Sequence, residues 1–233
     1  MNIIITGASR GIGYAIARKL SQDNSHKLVL ISRSKEKLQS LLTLNHDVDK
    51  RIYSIVFDLE TTDNYNDYLI PEIKKYFDKV DIIINNAGFL INKPLIDLSD
   101  DEINRMVNVN LIAPAKLIKS IFPFMNKPSH IVNIGSMGGF QGSQKFSGLS
   151  MYSATKAGLA SLTECLAEEF KGSGVSINCL ALGATNTEML NEAFPGYKAP
   201  QNATDMADFI IDFALTKSKF INGKIIPVTT STP

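Results

Sequence analysis

The sequence predicts an α/β fold in which a doubly wound, parallel sheet of seven strands lies between two layers of helices. Short runs of β-branched and aliphatic residues alternate with longer segments whose apolar residues recur at helical spacing. This alternation implies right-handed crossovers between parallel strands. A chain of 233 residues can bury the core of one such domain, so we expect a single domain over residues 1–233.

The predicted elements begin almost at the first residue. Ile3 to Ile5 indicates a buried strand, and a helix follows the next turn over 14–20. Ser99 and Glu102 match a capping box at the start of one long helix, in which Pro114 indicates a bend. The other strands are expected at 27–32, 52–57, 81–85, 131–134, 176–182 and 225–228. The other helices are expected at 35–44, 63–76, 99–124, 151–171 and 205–215, with irregular chain over 135–148 and 183–204.

Composition and charge exclude several classes of protein. Lys and Arg (24) nearly balance Asp and Glu (23) without any basic cluster, so a nucleic-acid partner is not expected. The first strand directly follows the initiator methionine, and no apolar run is long enough to span a bilayer. We therefore expect a soluble, cytoplasmic protein with a small-molecule partner and no membrane partner.

The cysteines and histidines give no sign of a metal site. Cys165 and Cys179 lie far apart, in neither metal nor redox spacing, so we expect reduced, packed thiols. His26, His46 and His130 have no metal-like spacing and no nucleophile partner, so we expect them to be surface or structural residues.

The turn after the first strand is a candidate anion site. The N-terminus of a helix directs unpaired N–H groups and a positive dipole end at whatever lies across the turn. Glycine lets a phosphate approach the backbone closely because it has no Cβ. The turn lacks the Gly-Lys-Ser/Thr of a P-loop, which disfavours an NTPase. On this motif alone, a purely structural turn in another α/β protein remains the alternative.

The glycine spacing T-G-x-x-x-G-x-G over residues 6–13 resembles the cofactor turn of the short-chain dehydrogenase/reductase family. The resemblance runs from Ile3 to about Pro227, with five motifs in the family's order. It implies a Rossmann fold and an NAD(P)-dependent oxidoreductase that interconverts a carbonyl and an alcohol. The four motifs after the glycine turn are Asn85-Asn86-Ala87-Gly88, Asn110, Ser136, and Tyr152 with Lys156.

The resemblance also implies which residues contact the cofactor. After the sixth strand the family usually has Pro-Gly, whereas this chain has Leu182-Gly183, and Thr187 is a better match than Thr185 for the nicotinamide and phosphate contacts. The complete expected set, besides the residues that set cofactor preference, is Thr6, Gly7, Ser9, Arg10, Gly11, Ile12, Gly13, Asn86, Ala87, Gly88, Tyr152, Lys156, Gly183, Thr185 and Thr187.

The end of the second strand favours NADP(H) over NAD(H). An acidic residue there accepts the ribose hydroxyls of NAD, whereas an arginine accommodates the additional phosphate of NADP. This chain has Arg33 and no carboxylate, and Arg10 adds a charge where NADP-preferring members carry a basic residue. Arg33 could instead pair with Glu36 at the surface. Asp58 resembles the family's adenine-contacting aspartate, and a loop cap is its alternative role.

The candidate catalytic residues are Asn110, Ser136, Tyr152 and Lys156. Tyr152 and Lys156 are four residues apart in a predicted helix and share one face, where a nearby ammonium lowers the pKa of a phenol. By resemblance, Tyr152 donates a proton to the carbonyl and Lys156 anchors the ribose. Ser136 orients the substrate oxygen, although the family often has Ser where this chain has the preceding Gly135. Asn110 supports a proton relay; Asn108 is the neighbouring candidate, and the leucine that follows favours Asn110.

Two stretches, 137–149 and 188–201, are expected to line the substrate pocket. Their apolar and aromatic residues indicate a carbonyl substrate with a substantial apolar part, for which a 3-oxoacyl thioester is a first example by family frequency. The alternative is that they only cover the sheet edge. The side chains concerned are Phe140, Phe146, Met189, Leu190, Phe194 and Tyr197.

Two rival functions are weighed against a carbonyl reductase. A catalytically silent NADP(H)-sensing protein would not need all four catalytic residue types. A nucleotide-sugar epimerase or dehydratase of the family's longer branch would need a longer chain. The resemblance also implies a homodimer or homotetramer, with the helices at 99–124 and 151–171 as the expected interface. The chain lacks the acidic-glycine ending common in the family, which leaves the oligomer type open.

Overall fold

Nine strands are present in the computed structural model, which describes residues 1–43, 51–61 and 64–230. They are β1 (Asn2–Thr6), β2 (Lys27–Ser32), β3 (Ile52–Val56), β4 (Val80–Asn85), β5 (Met125–Ile134), β6 (Val175–Leu182), β7 (Thr185–Asn186), β8 (Gln201–Asn202) and β9 (Ile225–Val228). Seven of them form one parallel sheet in the order β3-β2-β1-β4-β5-β6-β9, while β7 and β8 form a separate parallel pair. The predicted doubly wound, seven-stranded sheet is confirmed.

Eight α-helices connect these strands within the described ranges. They are α1 (Gly11–Ser21), α2 (Lys35–Thr43), α3 (Ile70–Lys74), α4 (Asp100–Val107), α5 (Ala113–Ile121), α6 (Ser150–Glu169), α7 (Glu188–Ala193) and α8 (Ala203–Thr216). The strand order reverses between β1 and β4, because β2 follows on one side and β5 on the other. A ligand crevice is expected outside the carboxyl ends of the strands at such a reversal.

The core has two layers because successive strand side chains point to opposite faces of the sheet. Ile4 of β1 belongs to the layer shared with α3, α5 and α6. Ile3 and Ile5 belong to the layer shared with α1, α2 and α8. All three isoleucines are fully buried, as expected for a strand covered by helices on both faces.

The helix expected over 99–124 is interrupted. Its capping box is present, since the Ser99 hydroxyl accepts the Glu102 N–H and the Glu102 carboxylate accepts the Ser99 N–H. The chain then forms a π-helical turn at Asn108–Ile112 between α4 and α5 and a 3₁₀ turn at Phe122–Phe124. Pro114 is the second residue of α5 and has no N–H to donate to the preceding turn. The π-helical turn therefore lies just before Pro114, where the sequence predicted a bend at Pro114 itself.

Other boundaries differ from those expected. The segment expected to be irregular over 183–204 contains α7 and the β7–β8 pair. The helix expected over 63–76 begins with a π-helical turn at Tyr65–Leu69 and ends as α3 at Lys74. Residues 44, 46 and 63, and the side chain of residue 42, lie outside the described part of the chain.

The thiols differ from each other in burial. Cys179 is buried as expected, whereas Cys165 is exposed on α6, so the expectation of a packed thiol is wrong for Cys165. Among the residues with a described placement, no group of His, Cys, Asp and Glu could hold a metal ion. No helix within the described ranges is both long and apolar enough to cross a membrane.

His130 is part of a buried polar network on the sheet. The Asn178 side-chain amide lies 3.0 Å from Nε2 of His130, and Nδ1 of His130 lies 3.0 Å from the carbonyl oxygen of Ala214. Because Nε2 accepts from Asn178, the proton of a neutral ring lies on Nδ1 and is donated to Ala214. Burial lowers the pKa of His130, and the hydrogen bond to Ala214 opposes that shift.

We expect the free energy of unfolding to fall as the pH is lowered from about 7.5 to about 5.5, because His130 takes up its proton more readily in the unfolded chain. The His130→Gln variant should show a shallower dependence, by at most about 1.4 kcal/mol per pH unit for one proton. Urea unfolding at both pH values measures it. Burial also lowers the pKa of His26, so part of the dependence of stability on pH remains in the variant. An unchanged slope in the variant would contradict this account of His130.

Candidate active site

A cavity of about 1010 Å³ opens at the carboxyl edge of the sheet. Residues that follow β1, β2, β3, β4, β5 and β6 line it, together with α7. Most of the expected site residues are part of the lining, and Thr6, Gly13 and Asn110 are not. The expected residues that line it are Gly7, Ser9, Arg10, Gly11, Ile12, Arg33, Asp58, Asn86, Ala87, Gly88, Ser136, Tyr152, Lys156, Gly183, Thr185 and Thr187.

Thr6 and Asn86 hold the glycine turn against the end of β4. The Thr6 hydroxyl accepts the backbone N–H groups of Asn86 (3.1 Å) and Ala87 (3.0 Å). The Asn86 side-chain amide donates to the carbonyl oxygens of Thr6 (3.0 Å) and Gly7 (3.2 Å). Thr6 therefore holds the turn in place and does not line the cavity, and the cofactor contact expected of it stays a prediction.

The glycines of the turn have two different roles. Gly7 has φ +67° and packs so closely that a Cβ would lie 2.8 Å from the Cα of Ala87. Gly13 lies behind the turn, where a Cβ would overlap the carbonyl of Gly7 and the Asn86 amide, so it allows packing and does not line the cavity. Gly11 has φ +56° and lies at the N-terminus of α1, where no side chain caps the helix. This open, glycine-lined helix N-terminus fits the phosphates of a dinucleotide.

Each of the two arginines that were expected to set cofactor preference lies beside a carboxylate. Arg33 lies 3.9 Å from Asp58, and Arg10 lies 2.5 Å from Glu192 of α7. Arg33 thus pairs with Asp58 and not with Glu36, which accepts from the Ser34 hydroxyl at 3.3 Å. Asp58 also accepts the N–H of Glu60, so its alternative role in capping the loop is present in the structure.

Tyr152 and Lys156 share one face of α6, with the ammonium 5.9 Å from the centre of the tyrosine ring. The Lys156 ammonium donates to the carbonyl oxygen of Ile134 at 2.8 Å. Burial lowers the pKa of Lys156 to about 8. Burial also raises the pKa of Tyr152, and a hydrogen bond with Ser136 opposes that rise. The expected lowering of the Tyr152 pKa is therefore wrong for this structure, because burial of the phenol outweighs the hydrogen bond with Ser136.

Ser136 lies where β5 ends and the next loop begins. Its hydroxyl oxygen accepts the N–H of Gly138 at 3.1 Å and caps a 3₁₀ turn at Met137–Gly139. The Ser136 hydroxyl has one proton to donate. The phenol oxygen of Tyr152 accepts it here, and a substrate oxygen in the cavity can accept it instead.

Asn110 is fully buried in the π-helical turn between α4 and α5. Its side-chain oxygen accepts the N–H of Phe89, and its amide donates to the carbonyl of Phe89, both at 2.8 Å. The amide also donates to the Thr155 hydroxyl at 3.1 Å, and that hydroxyl donates to the carbonyl oxygen of Tyr152 at 2.8 Å. Asn110 therefore ties the loop after β4 to the helical turn that carries Tyr152, which explains why it does not line the cavity.

The walls of the cavity are largely apolar. Phe146, Met189, Leu190, Phe194 and Tyr197 line the cavity as expected. Phe140 does not line it; its carbonyl oxygen accepts hydrogen bonds from the Ser143 hydroxyl and the Lys145 ammonium. The sequence interpretation missed Phe89, Leu90, Arg105 and Val109. Phe89 and Leu90 directly follow the Asn-Asn-Ala-Gly motif, and this position could have predicted that they line the cavity.

Asn92 joins three segments at the rim of the cavity. Its side-chain amide donates to the carbonyl oxygen of Ala193 at the end of α7, at 2.9 Å. Gly148, just before α6, packs against the Asn92 side-chain oxygen, and its carbonyl oxygen accepts the N–H of Lys93 at 2.9 Å. These contacts hold α7 next to the loops that carry the apolar wall.

A doubly wound sheet with a glycine turn at its reversal point defines the class of dinucleotide-binding α/β proteins. The family model described as short chain dehydrogenase matches residues 1–198. The chain therefore belongs to the short-chain dehydrogenase/reductase family and is an oxidoreductase. The family binds a nicotinamide cofactor and acts on small-molecule substrates.

Similar proteins agree over nearly the whole chain. An uncharacterized oxidoreductase of Staphylococcus aureus is 32% identical over 228 residues, covering 97% of this chain and 95% of the relative. A crystal structure of a short chain dehydrogenase from Burkholderia cenocepacia in complex with NADP has a TM-score of 0.86 and 26% identity, covering 97% of this chain and 95% of that one. A short-chain dehydrogenase/reductase structure from Brucella melitensis, titled glucose/ribitol dehydrogenase, has a TM-score of 0.86 and 25% identity, covering 97% and 94%.

We expect Gly148→Ala to destabilise the protein more than Gly142→Ala. Both glycines have a positive φ, which costs a residue with a Cβ about 1–2 kcal/mol. A Cβ at Gly148 would also overlap the Asn92 side chain, whereas at Gly142 it would meet nothing within 4 Å. The additional cost should be about 1–3 kcal/mol, measured by urea unfolding. Equal losses in the two variants would show that the contact between Gly148 and Asn92 is unimportant.

Proposed function

We propose that this protein is an NADP(H)-dependent oxidoreductase that interconverts a carbonyl and a secondary alcohol, with Tyr152 as general acid and base. One observation carries the proposal. A single cavity joins the glycine turn and two arginines to Tyr152, Lys156 and Ser136. The residues proposed to bind a dinucleotide and those proposed to transfer a proton therefore line the same cavity.

The bound nicotinamide supplies or accepts the hydride. In the direction of reduction, Tyr152 donates the proton of its hydroxyl to the carbonyl oxygen. Burial, which raises the pKa of Tyr152, keeps the phenol protonated at neutral pH, as a proton donor must be. The raised pKa also makes the phenol a weaker acid, which the hydrogen bond with Ser136 offsets in part. Ser136 offers its hydroxyl proton to the same oxygen and so orients the carbonyl. The loss of a proton from Tyr152 leaves a phenolate, which the nearby Lys156 ammonium stabilises.

Lys156 is the proposed anchor for the ribose. Its ammonium has three protons, of which the Ile134 carbonyl oxygen accepts one. The remaining protons are available for hydroxyl groups in the cavity. Asn110 is proposed as a positioning residue, supported by its ties to the Phe89 backbone and, through Thr155, to the helical turn of Tyr152. In this account Asn110 supports the proton relay through that geometry.

The preference for NADP(H) over NAD(H) is supported by two positively charged side chains in the lining of the cavity. Arg33 and Arg10 both line it, and each can donate two hydrogen bonds to one phosphate. The proposed phosphate contacts of the dinucleotide are Gly7, Ser9, Gly11, Ile12 and Thr187, and the proposed adenine and nicotinamide contacts are Asp58, Asn86, Ala87, Gly88, Gly183 and Thr185.

The proposed substrate is a carbonyl compound with a substantial apolar part, of which a 3-oxoacyl thioester is one example. The support is that apolar side chains, among them Phe146, Met189, Leu190 and Phe194, line the same cavity as Tyr152. The single domain over 1–233, the homodimer or homotetramer through the helices expected at 99–124 and 151–171, and the cytoplasmic location stay predictions.

We expect Tyr152→Phe to lower the rate of carbonyl reduction at least about a hundredfold, because it removes the proposed proton donor. The measurement is the loss of NADPH absorbance with aldehydes, ketones, diketones and 3-oxoacyl thioesters. Tyr76→Phe is the matched control, since it removes the same atom from a ring stacked on Tyr53 outside the cavity lining. Equal turnover by wild type and Tyr152→Phe would contradict the assignment, and NADPH binding without turnover would favour the sensing protein.

We expect Arg33→Met to weaken NADPH binding about tenfold while leaving NADH binding unchanged, because only NADPH presents the phosphate that Arg33 is proposed to contact. Titration of both cofactors, followed by nicotinamide fluorescence, measures the two dissociation constants. Arg18→Met, on the exposed face of α1, is the control for loss of one positive charge. A parallel weakening of both cofactors would sink the proposed role in preference.

A further inference from the structure

Arg10 has a partner that the sequence did not indicate. Its guanidinium forms an ion pair with Glu192 at 2.5 Å, although the two residues are 182 positions apart. Arg10 lines the cavity, whereas Glu192 lies on α7 outside the lining. One of the two arginines at the proposed phosphate end is thus already paired with a carboxylate from another part of the chain.

Helix α7 is held across the glycine turn by contacts at both of its ends. Thr187 caps α7, since its hydroxyl accepts the Leu190 N–H at 3.3 Å, and its methyl group would lie 3.3 Å from a Cβ at Gly11. At the other end, Asn92 holds the carbonyl of Ala193. Glu192 therefore has a defined position next to the turn, and its carboxylate contacts an arginine that lines the cavity.

We propose that Glu192 competes for Arg10 with the additional phosphate that NADP(H) carries on its adenosine ribose. Glu192 thereby lowers the protein's discrimination between NADP(H) and NAD(H). The inference rests on the proposed function, in which Arg10 contacts that phosphate. Two anions that share one guanidinium repel each other, so the phosphate must bind beside Glu192 or displace it. NAD(H) has one hydroxyl in place of this phosphate and meets no such repulsion.

The size of the effect follows from exposure. The side chains of Arg10 and Glu192 are 36% and 63% exposed, so solvent screens both charges. Exposed ion pairs of this kind change an equilibrium by about twofold to fivefold. The effect should shrink as the ionic strength rises, because added salt screens the carboxylate from the phosphate.

The test is to titrate wild type and Glu192→Gln with NADPH and with NADH and to follow nicotinamide fluorescence, which reports binding without turnover. We expect Glu192→Gln to bind NADPH about twofold to fivefold more tightly and NADH unchanged. The gain should vanish when Arg10→Met is also present. The matched control is Glu168→Gln. It removes one carboxylate from another exposed ion pair, which Glu168, near the end of α6, forms with Lys171 in the turn that follows.

Each outcome discriminates. Equal tightening or equal weakening of NADPH and NADH would overturn the inference and leave Glu192 as a contact that only positions α7. An unchanged ratio of the two dissociation constants, or a gain that persists with Arg10→Met, would also overturn it. Failure of the proposed cofactor preference is separate, because it would appear as equal or weaker NADPH binding in wild type, whereas the inference concerns the change of the ratio in the variant.

Discussion

The reciprocal hydrogen bonding between Thr6 and Asn86 is the interaction on which the site depends. It joins the carboxyl ends of β1 and β4, the two strands between which the sheet reverses its direction of winding. A crevice at this reversal is a consequence of topology, but its shape depends on how the two loops meet. Because Asn86 binds the backbone of Thr6 and Gly7, the glycine turn and the Asn-Asn-Ala-Gly motif are held to each other. Two motifs that are both proposed to contact the dinucleotide are thereby joined directly.

Much of the fold follows from local sequence signals. β2 and β9 have the expected bounds, and the capping box of Ser99 and Glu102 forms as expected. These successes share a cause, since runs of β-branched residues and capping residues act over a few positions. The motif residues also arrive at one cavity because the carboxyl ends of parallel strands lie on the same edge of a sheet. The family resemblance identified these individual residues, whereas periodicity predicted only the strands and helices that carry them.

The features that escaped prediction depend on contacts between distant parts of the chain. The pairing of Arg10 with Glu192 and the tie between Asn92 and Ala193 have no local signature. The pKa of Tyr152 is governed by burial, which the spacing between Tyr152 and Lys156 does not report. Similarly, Asn110 was recognisable as a motif residue, but only the fold reveals that its amide is used by Phe89 and Thr155.

The departure at Gly135 from the serine common in the family has a structural reason in this chain. Gly135 follows β5 and donates its N–H to the carbonyl oxygen of Leu180 at 2.8 Å, which continues the pairing with β6. A Cβ at this position would lie 2.7 Å from the sulfur of Cys179, which is fully buried. Glycine at 135 and cysteine at 179 therefore fill one space between them. The glycine therefore leaves room for Cys179 of β6 beside the end of β5 at Ile134, and Ser136 still follows Gly135 as a residue that lines the cavity.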